Sequence, residues 1–338
     1  MKRYGNLYSK IVDRENIELA YDKARRGKNW QKKIKRISED KDYYLDKLQD
    51  SLLNKTFHTA KYKTKWIYEP KARLIYILPF YPDRIVQHAI MNIVAPIWDS
   101  LMIDDSYSCR IGKGQHAASK RCMQFVKRNK FCLQCDVSKF YPSIDHEIVF
   151  NIIQEKIKDK DLLWLLRDII NSAEGGKNAP IGNYTSQWFG NLYMNKVDMR
   201  VKHIYKVKDY IRYCDDFLFF SNNKEDLKRI GADISEYMGR DLKLKLSKCN
   251  LFHTSQGVDF LGYRHFPDGK ILVRKRTAKR IRRNMKQIPY LYENGFITAG
   301  QALSKVASAN GWLKYANSYN FRKSIKFDDL NAEVRGYK

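Results

Sequence analysis

An apolar stretch broken by two adjacent carboxylates constrains this chain more than any other feature. Tyr210 to Cys214 and Phe217 to Phe220 are short apolar runs separated only by Asp215-Asp216. Charge buried without a partner is costly, so the chain must turn where the aspartates stand. Aspartate favours tight turns, and the stretch therefore predicts a β-hairpin with both carboxylates at its tip. The dipeptide alone says little, because Asp104-Asp105 and Asp328-Asp329 also occur. The last pair lies in a polar C-terminal segment and is expected to be solvated.

Asp136 repeats the pattern. It closes the apolar run FCLQC and precedes Val-Ser-Lys-Phe-Tyr, which puts another carboxylate at a strand edge. Asp136 and Asp215 stand 79 positions apart (215 minus 136), so only a tertiary fold can join them. If they meet, proton sharing or a divalent cation must relieve their repulsion. Hard oxygen ligands favour Mg2+, with Mn2+ as the alternative. Two such ions about 4 Å apart suit in-line phosphoryl chemistry at a 3′-hydroxyl with pyrophosphate leaving. The plainer reading, aspartates that only cap turns, has to explain both sites at once.

Residues 1–60 show basic helical spacing, with Ile17, Ala20, Tyr21 and Ala24, then Leu45, Leu48 and Leu52. Tyr62 to Phe80 turns strand-like, and a helix is predicted from Arg84 to about Val94, ahead of Pro96. Phe131 to Val137 reads as a strand. A polar loop from Ser172 to Asn183 opens a helix whose apolar face includes Phe189, Leu192, Val197, Val201 and Ile204. Leu242, Leu244 and Leu246 alternate with lysines as a half-buried strand does. From Arg274 the chain is helical and basic. Strand, helix, hairpin, helix, strand is the order of an antiparallel sheet backed by helices. The fold class is therefore α+β.

Charge narrows the partners. A formal charge of +27 over 338 residues repels itself in a compact state and calls for a polyanion. Twenty-three tyrosines among 13% aromatic residues suit surfaces where bases stack beside phosphate-binding cations. A basic architectural protein would share this charge. No run reaches the roughly 18 apolar residues of a membrane span, and the N-terminus has no apolar core for export. A soluble cytoplasmic protein is expected. Only Cys132 and Cys135 among six cysteines have metal-like spacing, and no second pair completes a zinc site, so mostly buried thiols are expected.

Several motifs carry a family resemblance. YCDD (Tyr213 to Asp216) resembles the YxDD box of reverse transcriptases, and CDVSKFYPSIDH (Cys135 to His146) resembles their first catalytic motif. ARLIYILPFYPDRIVQHAI (Ala72 to Ile90), SYSCRIGKGQHAA (Ser106 to Ala118) and FLGY (Phe260 to Tyr263) are similar to further motifs of the group II intron-like branch. They run in family order from about residue 60 to 265. IGNYTSQ (Ile181 to Gln187) resembles the [IVL]GxxxSQ signature of reverse transcriptases from diversity-generating retroelements. Group II intron enzymes read QGxxxSP there.

The resemblance implies a right-hand polymerase with an antiparallel-sheet palm, fingers and a helical thumb. It divides the chain into a basic helical N-terminal extension (1–60), fingers and palm (61–272) and a basic helical thumb (273–338). It also implies roles. Asp136 and Asp215 coordinate two Mg2+ ions, Asp216 supports the metal or primer end, and the Val137 carbonyl is a further ligand. Lys248 protonates pyrophosphate. Arg73 and Lys71 clamp the triphosphate, as guanidinium pairs bidentately with phosphate oxygens. Tyr141 stacks under the sugar and excludes a ribose 2′-hydroxyl. Gly182, lacking Cβ, lets the backbone approach the template base, and Gln187 belongs to the same motif.

Ile181 cannot hydrogen-bond where group II intron enzymes place Gln, so base-pair geometry should be policed less tightly. Arg110 in its motif, and Arg276, Lys279, Arg280 and Arg283 in the thumb, are expected to contact nucleic acid; the thumb set would track a duplex without reading sequence. The implied activity is error-prone synthesis of cDNA from a template-repeat RNA for mutagenic retrohoming. Implied partners are template RNA, an RNA–cDNA duplex, dNTPs and a small basic oligomeric accessory protein, in a bacterial or phage-encoded setting. The competing readings are an intron maturase or antiphage reverse transcriptase, and a non-catalytic RNA-binding scaffold.

Overall fold

The computed structural model describes residues 3–68 and 72–337. The N-terminal segment is helical, as its spacing predicts: α1 (Tyr8–Ile11), α2 (Arg14–Arg25), α3 (Lys32–Glu39) and α4 (Lys41–Leu53). Ile17, Ala20, Tyr21 and Ala24 form the buried stripe of α2, and Leu45, Leu48 and Leu52 that of α4. Strands β1 (Lys63–Ile67) and β2 (Arg73–Ile77) make an antiparallel ribbon with Lys63 opposite Ile77. Next come α5 (Ile85–Asp99), α6 (Gln115–Arg128), β3 (Phe131–Val137) and α7 (Phe140–Ser143). Helices α8 (His146–Gln154), α9 (Lys160–Asn171) and α10 (Tyr184–His203) lead to β4 (Tyr210–Tyr213) and β5 (Asp216–Ser221).

Then follow α11 (Lys224–Asp241) and β6 (Leu246–His253), and a small antiparallel sheet of β7 (Val258–Phe260), β8 (Tyr263–His265) and β9 (Ile271–Val273). The chain finishes with α12 (Lys275–Glu293), α13 (Ala299–Tyr315), α14 (Tyr319–Ser324) and α15 (Phe327–Arg335). The central sheet has the order β4-β5-β3-β6. Helices and antiparallel strands in this arrangement are the α+β class expected.

The chain falls into two compact units that interleave along the sequence. The first comprises Met1–Gly114, Gln134–Phe217 and Arg229–Cys249; the second comprises Gln115–Leu133, Leu218–Lys228 and Asn250–Lys338. The partition expected from chain order, at residues 60 and 272, follows motifs rather than these units. In the second unit α12, α13 and α15 share a core. Ile281, Met285 and Ile288 pack there with Val306, Leu313, Phe327 and Val334.

Three local expectations are corrected. The helix predicted to stop before Pro96 continues to Asp99 with the proline inside it. Trp98 is fully buried against Trp188 and Phe189, and that packing outweighs the hydrogen bond Pro96 cannot make. Leu242 and Leu244 are buried but lie ahead of β6, where Lys243 has φ +52° and the Leu244 amide donates to the Met238 carbonyl. That left-handed residue ends the helix and breaks the extended alternation the leucines suggested. Not every thiol is enclosed: Cys122, Cys132 and Cys135 are buried and Cys214 is half-buried, whereas Cys109 and Cys249 are exposed.

Candidate active site

The β4–β5 hairpin forms where the two aspartates interrupt the apolar run. Cys214 takes the left-handed conformation, φ +58°, which lets the chain reverse within two residues. Asp215 lies in the turn and Asp216 opens β5. Strand β3 is the neighbour of β5 in the sheet and carries Asp136 near its end, with Val137 buried one residue on. The sheet thus brings together carboxylates 79 positions apart in sequence.

Their charges act on one another. Burial raises the Asp215 carboxyl, and the charge of Asp136 raises it further against an opposing pull from Arg73. Asp216 is pushed up to about 7, first by burial, with the charges of Asp136 and Asp215 adding to it. Gln134 and Lys248 pull the other way. Among the described residues no three His, Cys, Asp or Glu side chains form a ready-made metal cluster. Even so, oxygen donors that destabilise one another's charge in a partly dry pocket fit a hard divalent cation.

A polar frame surrounds the carboxylates. Ser247 Oγ donates to Asp136 Oδ2 at 2.8 Å and to the Asp136 carbonyl at 3.1 Å. Lys248 Nζ donates to Gln134 Oε1 at 2.6 Å, while Gln134 Nε2 donates to Asp216 Oδ1 at 3.4 Å. The Gln134 amide therefore separates the ammonium from the carboxylate. Gln134 and Ser247 are functional residues that no sequence motif named above contains as a site. A lone glutamine in the apolar run FCLQC, two residues before Asp136 and so on the same strand face, was the signal available.

Tyr141 stands beside the turn. Its hydroxyl lies 3.3 Å from Cys214 Sγ, and burial followed by the neighbouring Cys214 raises its pKa. Phe140 is buried and Tyr141 half-buried, with ring centroids 5.2 Å apart, so the Phe140 ring packs inward. Gly190 on α10 leaves room for both; a Cβ there would lie 3.0 Å from the Phe140 ring and 3.3 Å from the Tyr141 ring. The loop before α10 is pinned over this motif, with the Ala179 amide donating to Tyr141 O and the Asn178 amide to Ile144 O.

That loop delivers Ile181 and Gly182. The Tyr76 amide of β2 donates to Ile181 O at 2.8 Å, which fastens the ribbon to the loop. Gly182 has φ +130°, and a Cβ on it would stand 2.0 Å from the Tyr76 carbonyl oxygen. The space a side chain would need is filled by the ribbon backbone, so the glycine is required here by the fold itself. Ile181 is half-buried and Gln187 is exposed on α10. Arg73 is exposed on β2, within electrostatic reach of Asp215. Lys71 lies outside the described residues.

Arg110 is engaged by groups of its own unit. Its Nε donates to Asp99 Oδ1 at 2.6 Å, and its Nη1 donates to the carbonyls of Ile103 and Ser106 at 2.7 and 2.9 Å. The guanidinium is spent on fastening its own loop to the end of α5. In the second unit α12 buries Thr277, Ile281, Met285 and Ile288, leaving Arg276, Lys279 and Arg283 exposed and Arg280 half-exposed around the remaining circumference.

Residues 49–265, more than half of the chain, match the family model described as reverse transcriptase (RNA-dependent DNA polymerase). Curated relatives include Protein YkfC of Escherichia coli K12, 23% identical, with 77% of this chain and 79% of that one covered. Nuclear intron maturase 4, mitochondrial, of Arabidopsis thaliana is 23% identical over 58% of this chain and 25% of its own length. The group II intron-encoded protein LtrA of Lactococcus lactis subsp. cremoris is 21% identical over 67% of this chain and 50% of its own. The chain thus spans half or less of the latter two.

Proposed function

This chain belongs to the reverse transcriptase family of RNA-directed DNA polymerases, and on that premise we propose that it copies a template-repeat RNA into error-prone cDNA for the mutagenic retrohoming of a diversity-generating retroelement. The observation that carries the polymerase reading is the convergence of Asp136, Asp215 and Asp216 at one end of the β5–β3 pair, with Tyr141 and the Ile181–Gly182 loop held around them. The IGNYTSQ motif supports the finer assignment.

In this reading Asp136, Asp215 and the Val137 carbonyl hold two Mg2+ ions, with Asp216 in support. Bound there, the metal supplies charge stabilisation for an attacking 3′-hydroxyl and a departing pyrophosphate. Ser247 and Gln134 orient the carboxylates so that little reorganisation is needed at the moment of reaction. Arg73 and Lys71 bind the triphosphate, and Lys248 donates a proton to pyrophosphate. The Tyr141 ring, backed by Gly190, excludes a ribose 2′-hydroxyl, and Gln187, exposed on α10, contributes to substrate binding. Arg276, Lys279, Arg280 and Arg283 hold the RNA–cDNA duplex through its phosphates. A small basic accessory protein would share the RNA.

Primer extension on a structured RNA with Mg2+ and dNTPs tests the core assignment. Incorporation is expected from the parent chain and not from Asp215→Ala with Asp216→Ala. Incorporation that survives both changes removes these residues from the chemistry. The similarity to the group II intron-encoded protein LtrA and to nuclear intron maturase 4 favours a second reading, an intron maturase. Product sequencing separates the two: errors concentrated at template adenines support the retroelement, and uniformly low error supports the maturase. Ile181→Gln is expected to lower the adenine errors if that side chain governs fidelity.

A further inference from the structure

Arg212 is a large cation that the mechanism above does not use, yet it is completely buried. It sits in β4, three residues before Asp215. Its Nε and Nη2 embrace the equally buried Asp198 of α10, at 2.8 and 2.6 Å. Tyr210 donates its hydroxyl to the same carboxylate at 2.7 Å. Burial works against the guanidinium's charge, and Asp198 more than offsets it. An ion pair of this kind gives little net stability over apolar residues of the same volume. Stability alone is therefore a poor reason for its presence.

The remaining nitrogen is the informative one. Nη1 donates to Asn191 Oδ1 and to the main-chain carbonyl of Cys214, both at 3.1 Å. Asn191 lies two helical turns before Asp198 on α10, and its own amide donates to Ser108 O at 2.9 Å. The backbone of Arg212 is held as well, its amide donating to Asp105 O and its carbonyl accepting from Tyr107, each at 3.0 Å. Cys214 is the left-handed residue of the turn, and its thiol is the atom beside the Tyr141 hydroxyl. One guanidinium thus grips the residue from which the catalytic turn and the aromatic ring both take their position.

We propose that Arg212, locked by Asp198 and Asn191, is the positioning residue of the catalytic turn, fixing Cys214 so that Asp215 and Asp216 face Asp136. Arginine suits this task because its planar fork can pair with a carboxylate on one edge and still reach a carbonyl on the other. Lysine presents all its donors from a single atom. The inference rests on the metal-binding reading of the carboxylates for its catalytic consequence, though not for the hold on the turn.

Two variants separate the hold on the turn from the integrity of the core. Arg212→Lys keeps a cation against Asp198 but loses the reach to Cys214. Arg212→Met with Asp198→Leu removes both charges together, a change buried pairs often tolerate. In metal-free protein, amide hydrogen exchange at residues 213–217 is expected to quicken in both variants while exchange along α10 stays as in the parent. The Mn2+ dissociation constant, read from the free-ion electron paramagnetic resonance signal, is expected to rise about 10–100-fold, as for other residues that orient ligands. The kcat should fall, with the KM for dNTP close to the parent's. Should the double variant fail to fold, Arg212→Lys carries the test. Parent-like exchange at 213–217 overturns the proposal. A parent chain that binds no Mn2+ counts against the metal reading instead, and the exchange data still decide on Arg212.

Discussion

The Tyr76 carbonyl of β2 occupies the place where a side chain on Gly182 would begin, 2.0 Å from an ideal Cβ. The contact joins the β1–β2 ribbon to the loop that opens α10, beside the hydrogen bond from Tyr76 to Ile181 O. Gly182→Ala must therefore move main chain, and its backbone conformation alone costs about 1–3 kcal/mol for a residue with Cβ. Denaturant unfolding should show a loss of at least that size, together with weaker dNTP binding. A variant as stable as the parent would mean the ribbon does not rest on this glycine.

Gln134→Leu tests the amide between Lys248 and Asp216. The change leaves the ammonium without its acceptor and the carboxylate without its donor, at 2.6 and 3.4 Å in the structure. Steady-state kinetics should show kcat lower by about 10–100-fold with KM for dNTP little altered, as when a ligand-orienting partner is lost. An unchanged kcat would reduce Gln134 to packing.

Arg110→Ala distinguishes a clamp from a nucleic-acid contact. Losing charge-assisted bonds to Asp99 and two carbonyls should cost about 1–3 kcal/mol of stability. Filter binding to duplex should keep the parent's affinity and salt dependence. If affinity falls while stability holds, the side chain turns outward when nucleic acid binds.

Asp159 gives a pH signature. Burial raises its carboxyl, but four backbone amides more than reverse this and hold it below its usual value. Its Oδ1 caps α9 through Asp161 and Leu162, and its Oδ2 receives the amides of Leu7 and Tyr8 at 2.6 and 2.9 Å. A carboxyl depressed in the folded state stabilises above its unfolded value, near 4, and loses that contribution as pH falls through the folded value. Asp159→Asn should therefore cost about 1 kcal/mol at pH 7, with the gap closing below about pH 4. Unfolding curves at pH 7 and pH 3 check this, and a gap independent of pH would remove the charge from the account.

Elements whose causes are local were readable in the residues themselves. The hairpin around Asp215-Asp216, β3 up to Asp136, the amphipathic stripes of α2 and α4 and the basic helix α12 depend on neighbours a few positions away, and all are present. Where local signals competed with packing, they lost. Pro96 did not stop α5, because burying Trp98 outweighs one missing hydrogen bond. Leu242 and Leu244 were correctly apolar but wrongly extended, because Lys243 turns left-handed at the helix exit.

At the site, residue type was legible and the partner was not. Three aspartates at strand edges, a Phe-Tyr pair and a glycine in the IGNYTSQ motif could be named from the chain alone. That Gly182 faces Tyr76, that Arg110 is turned onto Asp99, and that Gln134 and Arg212 frame the carboxylates depended on groups far apart in sequence. The sequence by itself thus determined which groups could carry charge, turn the chain or line a core, since those are properties of single residues and their near neighbours. The tertiary structure alone decided which of them meet, because hydrogen bonds and ion pairs depend on distances that only the folded chain sets.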